Sequence, residues 1–306
     1  MGVYNQEHDR QQNLQGQQAL APLWWDSFNF RLFQVLVDNA DRSIFGAIYE
    51  FKSPPPDSHH YPLHSPPRYV VAFRGTMPRR KTMLQDLKLD LKVIQNTLKQ
   101  SPRFQLAMQA VQHTVPLAGA ANVYLAGHSL GAAMALLAGK NMAKMGCFLE
   151  TYLFNPPFIS IPIEVMTKTE ILKRGIRFFH SVTTAGVTIA LNALSQRPKT
   201  GDWFAALSGW IPNLFVNPSD PFSAEYVGYF EHRERMAVIG AGAIERLSTR
   251  NSIFGTIEPL HLLPSAYLTI NGSPVQGARQ AHELDQWWKP DIQCQSKLHQ
   301  LISAGN

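Results

Sequence analysis

The chain has 306 residues, of which 45% are hydrophobic and 16% are charged, and its formal net charge is +6. This composition excludes wholesale disorder, a collagen-like chain and a coiled coil. The two cysteines, Cys147 and Cys294, are too few for a disulfide framework or a four-cysteine zinc site. The sequence therefore predicts a globular protein built as one large α/β domain with a full hydrophobic core.

The N-terminal residues 1–21 are polar and rich in glutamine, which predicts a flexible arm ahead of a single domain at 22–306. This arm lacks the apolar segment of a secretory signal peptide, and no run of about 18 apolar residues predicts a membrane-spanning helix. We therefore expect a cytoplasmic protein. A cap inserted into the domain is expected at 161–210.

The positive charge is concentrated in one segment. Between Arg68 and Arg103 there are nine lysines and arginines against two aspartates, a net charge of +7, so the rest of the chain is close to neutral. Such a cluster can contact an anionic membrane surface. A solvated helix face is the alternative, because aromatic residues do not alternate with the charges. No motif of a nucleic-acid-binding domain accompanies the cluster, so no nucleic acid is expected as a partner.

The first predicted elements are a helix and a strand. Apolar residues recur at helical spacing across 24–37, and Ala47–Phe51 has the composition of a short strand. The proline-rich segment 53–67 excludes both a helix and a central strand. Its three histidines lack a fourth ligand and predict a surface loop rather than a metal site. They are His59, His60 and His64.

Buried strands and helices then alternate along the chain. The predicted strands are Tyr69–Phe73, Val123–Ala126, Phe148–Phe154, Ile176–Val182 and Leu214–Val216, and the predicted helices are 82–115 and Gly131–Lys144. The order strand, helix, strand, helix, strand is typical of a parallel sheet with right-handed crossovers. The predicted fold class is therefore α/β, with a mostly parallel central sheet and helices on both of its faces.

A Gly-x-Ser-x-Gly motif around Ser129 lies between a predicted strand and a predicted helix. On such a turn the serine hydroxyl stands clear of the sheet, and Gly127 and Gly131 leave room where the strand and the helix lie close together. The helix N-terminus offers backbone N–H groups to a developing oxyanion. The motif predicts a nucleophilic serine, and an unreactive serine in a tight glycine turn is the alternative. His128 is expected to pack against the sheet.

A nucleophilic serine needs a histidine base and an acid that orients it, and in sites built on this turn the chain order is serine, acid, histidine. Asp220 is the predicted acid, because it follows an apolar strand. The later histidines are His232, His261, His282 and His299. His261 is favoured as the base because its loop leads into an apolar segment, and His282 and His232 remain alternatives.

The predicted strand Tyr69–Phe73 leads into Arg74-Gly75-Thr76, and this segment also bears on the site around Ser129. A strand that ends in glycine beside a small hydroxyl residue can turn a backbone N–H toward the serine. The predicted oxyanion hole consists of the backbone N–H groups of Thr76 and Leu130, the residue after the nucleophile.

Four segments together resemble one family: Val-Val-Ala-Phe-Arg-Gly-Thr at 70–76, Asp-Leu at 86–87, Gly-His-Ser-Leu-Gly at 127–131 and Asn-Pro-Ser-Asp at 217–220. They resemble the class 3 (fungal-type) lipases of the α/β-hydrolase fold. The segments that begin at His261 and Ala281 are similar to the plant lipase-like branch of that group.

The resemblance implies that Ser129 is the nucleophile, Asp220 the acid, His261 the base and Thr76 an oxyanion residue. It also implies a lid after Thr76, where this chain has Pro78-Arg-Arg-Lys81, a segment more basic than a typical interfacial lid.

The expected function is hydrolysis of carboxylic esters in acylglycerols or phospholipids. The expected partners are a lipid or small ester substrate and an anionic membrane surface. No metal and no organic cofactor are expected. A non-hydrolytic scaffold or signalling protein that retains the fold is the alternative.

Overall fold

A computed structural model of the chain describes residues 24–52, 66–75, 98, 101–158, 207–238 and 261–301. Its strands are β1 (Phe30–Val37), β2 (Ile44–Phe51), β3 (Tyr69–Phe73), β4 (Val123–His128), β5 (Glu150–Phe154), β6 (Asn213–Val216), β7 (Ala266–Asn271) and β8 (Cys294–His299). Its α-helices are α1 (Pro102–Ala118), α2 (Leu130–Lys144), α3 (Glu225–Val238) and α4 (Ala278–His282). Short 3-10 helices lie at Trp24–Phe28, Ala120–Asn122 and Leu284–Trp288.

Several sequence predictions lie outside the described residues. These are the arm at 1–21, the three histidines of the proline-rich loop, Thr76, the basic residues 79–81, residues 82–97 and 99–100 of the helix predicted at 82–115, the strand at Ile176–Val182 and all but the last four residues of the cap at 161–210.

The eight strands of the described residues form one sheet, in chain order from β1 to β8. Strands β3 to β7 run parallel to one another. Strands β1, β2 and β8 pair antiparallel with their neighbours. This mixed, mostly parallel sheet confirms the predicted α/β class. Because β4 to β7 are parallel, their carboxyl ends meet at one edge of the sheet, where ligands bind in folds of this kind.

The prediction of a helix at 24–37 is wrong. A 3-10 helix covers Trp24–Phe28, and Phe30–Val37 forms the edge strand β1. Asn29, between them, has φ 59°, a conformation that ends a right-handed helix. Most side chains of β1 are exposed or half-buried, and its apolar residues do not alternate with polar ones. The sequence therefore carries no period-two pattern that would have indicated a strand.

Helix α2 packs against β3, β4 and β5 at the centre of the domain. Thirteen of its fifteen residues are buried, so water reaches little of its surface. Seven of its fifteen residues are alanine or glycine, which lets its backbone approach the sheet closely. At Gly139 an added Cβ would overlap the indole ring of Trp210, whose Nε1 donates a hydrogen bond to the Leu149 carbonyl. This packing holds α2 against the sheet, and the helix begins two residues after the carboxyl end of β4.

Substitution of Gly131 tests how closely the strand and the helix must approach. A Cβ at this position would lie under 3.0 Å from the carbonyl carbon and oxygen of Phe73 on β3, a separation that real Cβ atoms do not show. Gly131→Ala should therefore lower the free energy of unfolding by about 1–3 kcal/mol or more, as overpacking does. Denaturant unfolding of the purified variant measures the change.

Gly228→Ala is the matched control. Gly228 lies in α3, and a Cβ there would meet nothing within 4 Å. Alanine is favoured over glycine inside a helix by up to about 1 kcal/mol, so this variant should be as stable as the wild type or more so. Equal stability of the Gly131→Ala and Gly228→Ala variants would contradict the packing described for β3 and α2.

Candidate active site

Ser129 lies on the turn between β4 and α2, in a backbone conformation that side-chain-bearing residues rarely adopt. Its φ is 54° and its ψ is −123°. The surroundings hold it there, because its N–H donates to the Phe154 carbonyl at 3.0 Å and Gly75 lies against its Cβ. A Cβ on Gly75 would come within 3.2 Å of the Ser129 Cβ. Strain of this kind persists only where neighbouring structure over-determines it, and it is concentrated at functional sites.

His282 connects Ser129 to Asp220 through both of its ring nitrogens. Its Nε2 lies 2.9 Å from Ser129 Oγ, and its Nδ1 lies 3.0 Å from Asp220 Oδ2. An ionised carboxylate only accepts hydrogen bonds, so Nδ1 carries the ring proton and donates to Asp220. The unprotonated Nε2 then accepts from the Ser129 hydroxyl. The three side chains are buried, with exposed fractions of 4%, 9% and 0% for Ser129, His282 and Asp220.

Asp220 is held as a carboxylate. Its Oδ2 accepts from Ser223 Oγ at 2.6 Å as well as from His282, and its Oδ1 accepts from the Phe222 N–H at 3.0 Å. Burial raises the pKa of this carboxyl, but the hydrogen bonds from His282, Ser223 and Phe222 and the adjacent imidazole outweigh burial. The net effect lowers the pKa below its ordinary value. Asp220 therefore presents a fixed negative charge to the imidazole.

The prediction that His261 lies beside Ser129 is wrong, because His282 occupies that position. His261 precedes β7 in the chain, whereas His282 follows β7 on α4. Since β7 is parallel to the strands before it, residues that follow β7 reach the edge of the sheet where the serine lies. The backbone next to His261 is held at a position far from Ser129. The Leu262 carbonyl accepts from Lys140 Nζ, about three turns along α2 from Ser129.

The other histidines considered from the sequence do not join this group. The His261 ring packs against Phe158 at a centroid distance of 4.3 Å. His232 lies exposed on α3. His299 lies on β8 and faces Glu234, with its Nδ1 3.0 Å from the carboxylate.

His128 has a contact that the sequence did not indicate. Its Nε2 lies 2.7 Å from the backbone carbonyl of His282, so this nitrogen carries the proton and donates. Burial, together with the nearby His282 ring, lowers the pKa of His128 to about 4, so the ring is neutral at pH 7. Instead of packing only on the sheet, His128 holds the backbone of the residue that contacts Ser129.

One half of the predicted oxyanion hole can be placed. Leu130 is the first residue of α2, and a residue at that position has no acceptor for its N–H inside the helix. Thr76 lies outside the described residues, although Gly75, directly before it, is near enough to Ser129 that an added Cβ would lie 3.2 Å from the Ser129 Cβ.

No group of three or more histidine, cysteine, aspartate or glutamate side chains that could hold a metal ion occurs in the described part of the chain. Within the same ranges, no helix is long and apolar enough to cross a membrane.

The sequence profile of the family described as Lipase (class 3) matches residues 70–167, which include β3, β4 and the turn at Ser129. Over almost its whole length the chain is also similar to a GDSL esterase/lipase of Arabidopsis thaliana. The two are 46% identical over 312 residues, which cover 98% of this chain and 89% of the relative. The chain belongs to the class 3 lipase family. Membership confirms the resemblance inferred from the motifs and makes the chain a hydrolase of the lipase/esterase type.

Two solved structures of fungal enzymes are similar to this class 3 lipase. A lipase from Rhizopus microsporus var. chinensis is 15% identical, with a TM-score of 0.32, and the match covers 64% of this chain and 55% of that one. A Rhizomucor miehei structure from a study of two fungal esterases is 16% identical, with a TM-score of 0.30, and the match covers 68% and 73% of the two chains.

The name of the plant relative contains the letters GDSL, which in one-letter code spell Gly-Asp-Ser-Leu. This class 3 lipase contains no such tetrapeptide, and its buried serine lies in Gly-His-Ser-Leu-Gly at 127–131. The residue before the serine is therefore His128, which contacts the backbone of His282.

Proposed function

We propose that this class 3 lipase hydrolyses carboxylic esters of acylglycerols or phospholipids, with Ser129 as nucleophile, His282 as base and Asp220 as the acid that orients it. The observation that carries the proposal is the continuous chain of hydrogen bonds from Ser129 Oγ through the His282 ring to Asp220 Oδ2. This arrangement supplies each group that a serine nucleophile needs.

In the first half of the reaction Ser129 Oγ attacks the acyl carbon of the ester. Its proton passes to His282 Nε2 at the same time, so no free alkoxide forms. The carbonyl oxygen becomes an oxyanion, and the backbone N–H groups of Leu130 and Thr76 are proposed to donate to it. When the intermediate collapses, His282 gives its proton to the leaving alcohol, and the acyl group stays on Ser129.

In the second half a water molecule attacks the acyl-enzyme. His282 Nε2 accepts a proton from that water and returns it to Ser129 Oγ when the fatty acid leaves. Asp220 does not take a proton in either half. Its fixed charge stabilises the imidazolium form of His282 and keeps the proton of the neutral ring on Nδ1.

The substrate class is tested with small esters, acylglycerols and phospholipids, each offered as a series that varies in acyl-chain length. The family and the name of the plant relative both support a lipase or esterase. Turnover that requires Ser129 is expected with small esters and with acylglycerols or phospholipids of these series. Failure to hydrolyse any member, by a protein whose folding is verified by circular dichroism, would favour a non-hydrolytic protein that retains the fold.

We further propose that Arg79, Arg80 and Lys81 bring the enzyme to anionic lipid surfaces. Each charge near such a surface contributes about 1 kcal/mol. Replacement of all three by glutamine should weaken binding to phosphatidylserine-containing vesicles by up to about a hundredfold. Hydrolysis of a small soluble ester should hardly change. Vesicle co-sedimentation at low and high salt measures the first effect, since salt screens such contacts.

The control removes the same amount of charge elsewhere on the surface. Lys144, Arg279 and Lys297 are exposed and lie outside the basic segment. Their triple glutamine variant should bind the vesicles as the wild type does. Equal vesicle binding by the wild type and both triple variants would contradict this proposal. It would indicate that the basic segment is only a solvated surface.

A further inference from the structure

Asn155 lies where β5 ends, at the edge of the sheet that carries Ser129 and Asp220. It has φ 48°, a left-handed conformation that asparagine tolerates better than most residues do. Its N–H donates to the Phe215 carbonyl on β6 at 2.8 Å. The residue is completely buried. A buried amide must have its polar atoms paired, so its partners show what it holds in place.

The Asn155 side chain makes three hydrogen bonds. Its Nδ2 donates to Asp220 Oδ2 at 2.7 Å and to the Ala281 carbonyl at 3.0 Å. Its Oδ1 accepts from Trp287 Nε1 at 2.8 Å. Ala281 directly precedes His282. One amide therefore touches the acid and the backbone beside the base, which come from separate parts of the chain.

Trp287 determines the orientation of the Asn155 amide group. An indole N–H only donates, so it must face the amide oxygen. The NH₂ group then has to point toward Asp220 and Ala281. The Trp287 ring packs edge-on against Phe215 at a centroid distance of 5.4 Å and so is held against the sheet. If this indole N–H were absent, the amide could turn over and place its oxygen against the carboxylate.

A second buried amide holds the same segment. Gln286 donates through Nε2 to the Ala281 carbonyl at 2.6 Å, and its Oε1 accepts from Asn217 at 2.7 Å and from Asn271 at 3.0 Å. Asn217 follows β6, and Asn271 is the last residue of β7. The turn that carries His282 is therefore tied to the carboxyl ends of three neighbouring strands.

From these contacts we propose that Asn155, oriented by Trp287, is a positioning residue. It keeps the Asp220 carboxylate and the His282 ring in the relative position that their hydrogen bond requires. The inference rests on the proposed function, because it assigns Asn155 a role in the proton transfer by His282. The three hydrogen bonds of the amide go to Asp220, Ala281 and Trp287, and Ser129 is not among its partners. Loss of the amide should therefore slow the chemical step and leave the binding of a small ester unchanged.

The first test is Trp287→Phe, which removes the indole N–H and keeps an aromatic ring against Phe215. We expect kcat for a small soluble ester to fall by about ten- to a hundredfold, with KM within twofold of the wild-type value. Trp288→Phe is the matched control, because Trp288 is adjacent but 64% exposed, and it should leave kcat unchanged. Unchanged kcat in a folded Trp287→Phe variant, or equal losses in both variants, would overturn the proposal.

The second test is the pH profile of Asn155→Asp. The new carboxylate would face Asp220, with His282 and His128 as the other titratable groups nearby in the described part of the chain. Two carboxylates this close share one proton and cannot both ionise cheaply. While that proton is present the pair can stay hydrogen-bonded, and once it is lost the two repel. We therefore expect kcat to fall as the pH rises, over a range where wild-type kcat is flat.

A purely structural role would reduce the amount of folded Asn155→Asp protein and leave the shape of this profile unchanged. A wild-type profile in the folded variant would therefore contradict the proposal. If the variant does not fold, the comparison of Trp287→Phe with Trp288→Phe still tests whether Asn155 has this positioning role. Failure of the proposed function has a different signature, namely wild-type turnover that is absent or does not depend on Ser129.

Discussion

Replacement of Ser129 by alanine should abolish ester hydrolysis and leave the fold intact. The substitution removes only Oγ, the atom that is hydrogen-bonded to His282. Loss of a triad serine costs about a millionfold in kcat. Alanine and serine are equally constrained at φ 54°, so the exchange adds no backbone strain. Initial rates with a small soluble ester and a thermal unfolding curve measure the two effects.

Ser101→Ala is the control for this experiment, and it should give the opposite result. Ser101 caps the N-terminus of α1, where its side chain accepts from the Phe104 N–H at 3.1 Å. Loss of such a cap costs about 1 kcal/mol of stability, and hydrolysis should persist. A Ser129→Ala variant that keeps a tenth of the wild-type rate would show that Ser129 is not the nucleophile.

Replacement of His282 by glutamine should be nearly as damaging as loss of the serine. Glutamine is similar in size and can still form hydrogen bonds, but it cannot take and return a proton at pH 7. Loss of the base in a triad costs about as much in kcat as loss of the nucleophile, on the order of a millionfold. Measured rates with the same soluble ester should therefore fall to the small residue that oxyanion stabilisation and substrate binding supply without the triad.

His261→Gln is the matched control, because His261 is as buried as His282, at 8% against 9% exposed. Its ring packs on Phe158, and Ser129 Oγ is hydrogen-bonded to His282 instead, so the variant should keep most of its activity and lose some stability. Inactivation of a folded His261→Gln protein together with activity in His282→Gln would restore the assignment suggested by the sequence.

The turn around Ser129 could be predicted from local sequence because its requirements are local. A buried strand, two glycines at fixed spacing and an alanine-rich helix each leave a pattern within about twenty residues. The structure has the same strand and helix, with bounds that differ by one or two residues. Asp220 could be found for the same reason, since a short apolar strand leads directly to it.

The histidine beside Ser129 could not be chosen from local sequence because its position depends on β7, which is not among the predicted strands. Strand β7 has the sequence Ala-Tyr-Leu-Thr-Ile-Asn at 266–271, which is rich in residues favoured in strands. Recognition of that strand would have placed His261 before it and His282 after it. The rule that site residues follow parallel strands would then have favoured His282.

The positioning contacts are beyond local sequence reasoning altogether. Asn155 and Ala281 are 126 residues apart in the chain, and His128 and His282 are 154 apart. Nothing in the residues around Asn155 distinguishes it from an ordinary asparagine before a proline. Only the pairing of β5 with β6, and of β6 with β7, brings these partners to one edge of the sheet.

A fluorophosphonate probe with peptide mapping tests most directly whether Ser129 is an activated nucleophile. The probe phosphonylates a serine only where a base removes the hydroxyl proton. We predict one label per chain, on the peptide that contains Ser129, with labelling greatly slowed in His282→Gln and unchanged in His261→Gln. No label on the native protein, a label on another serine, or wild-type labelling of Ser129→Ala would contradict the account.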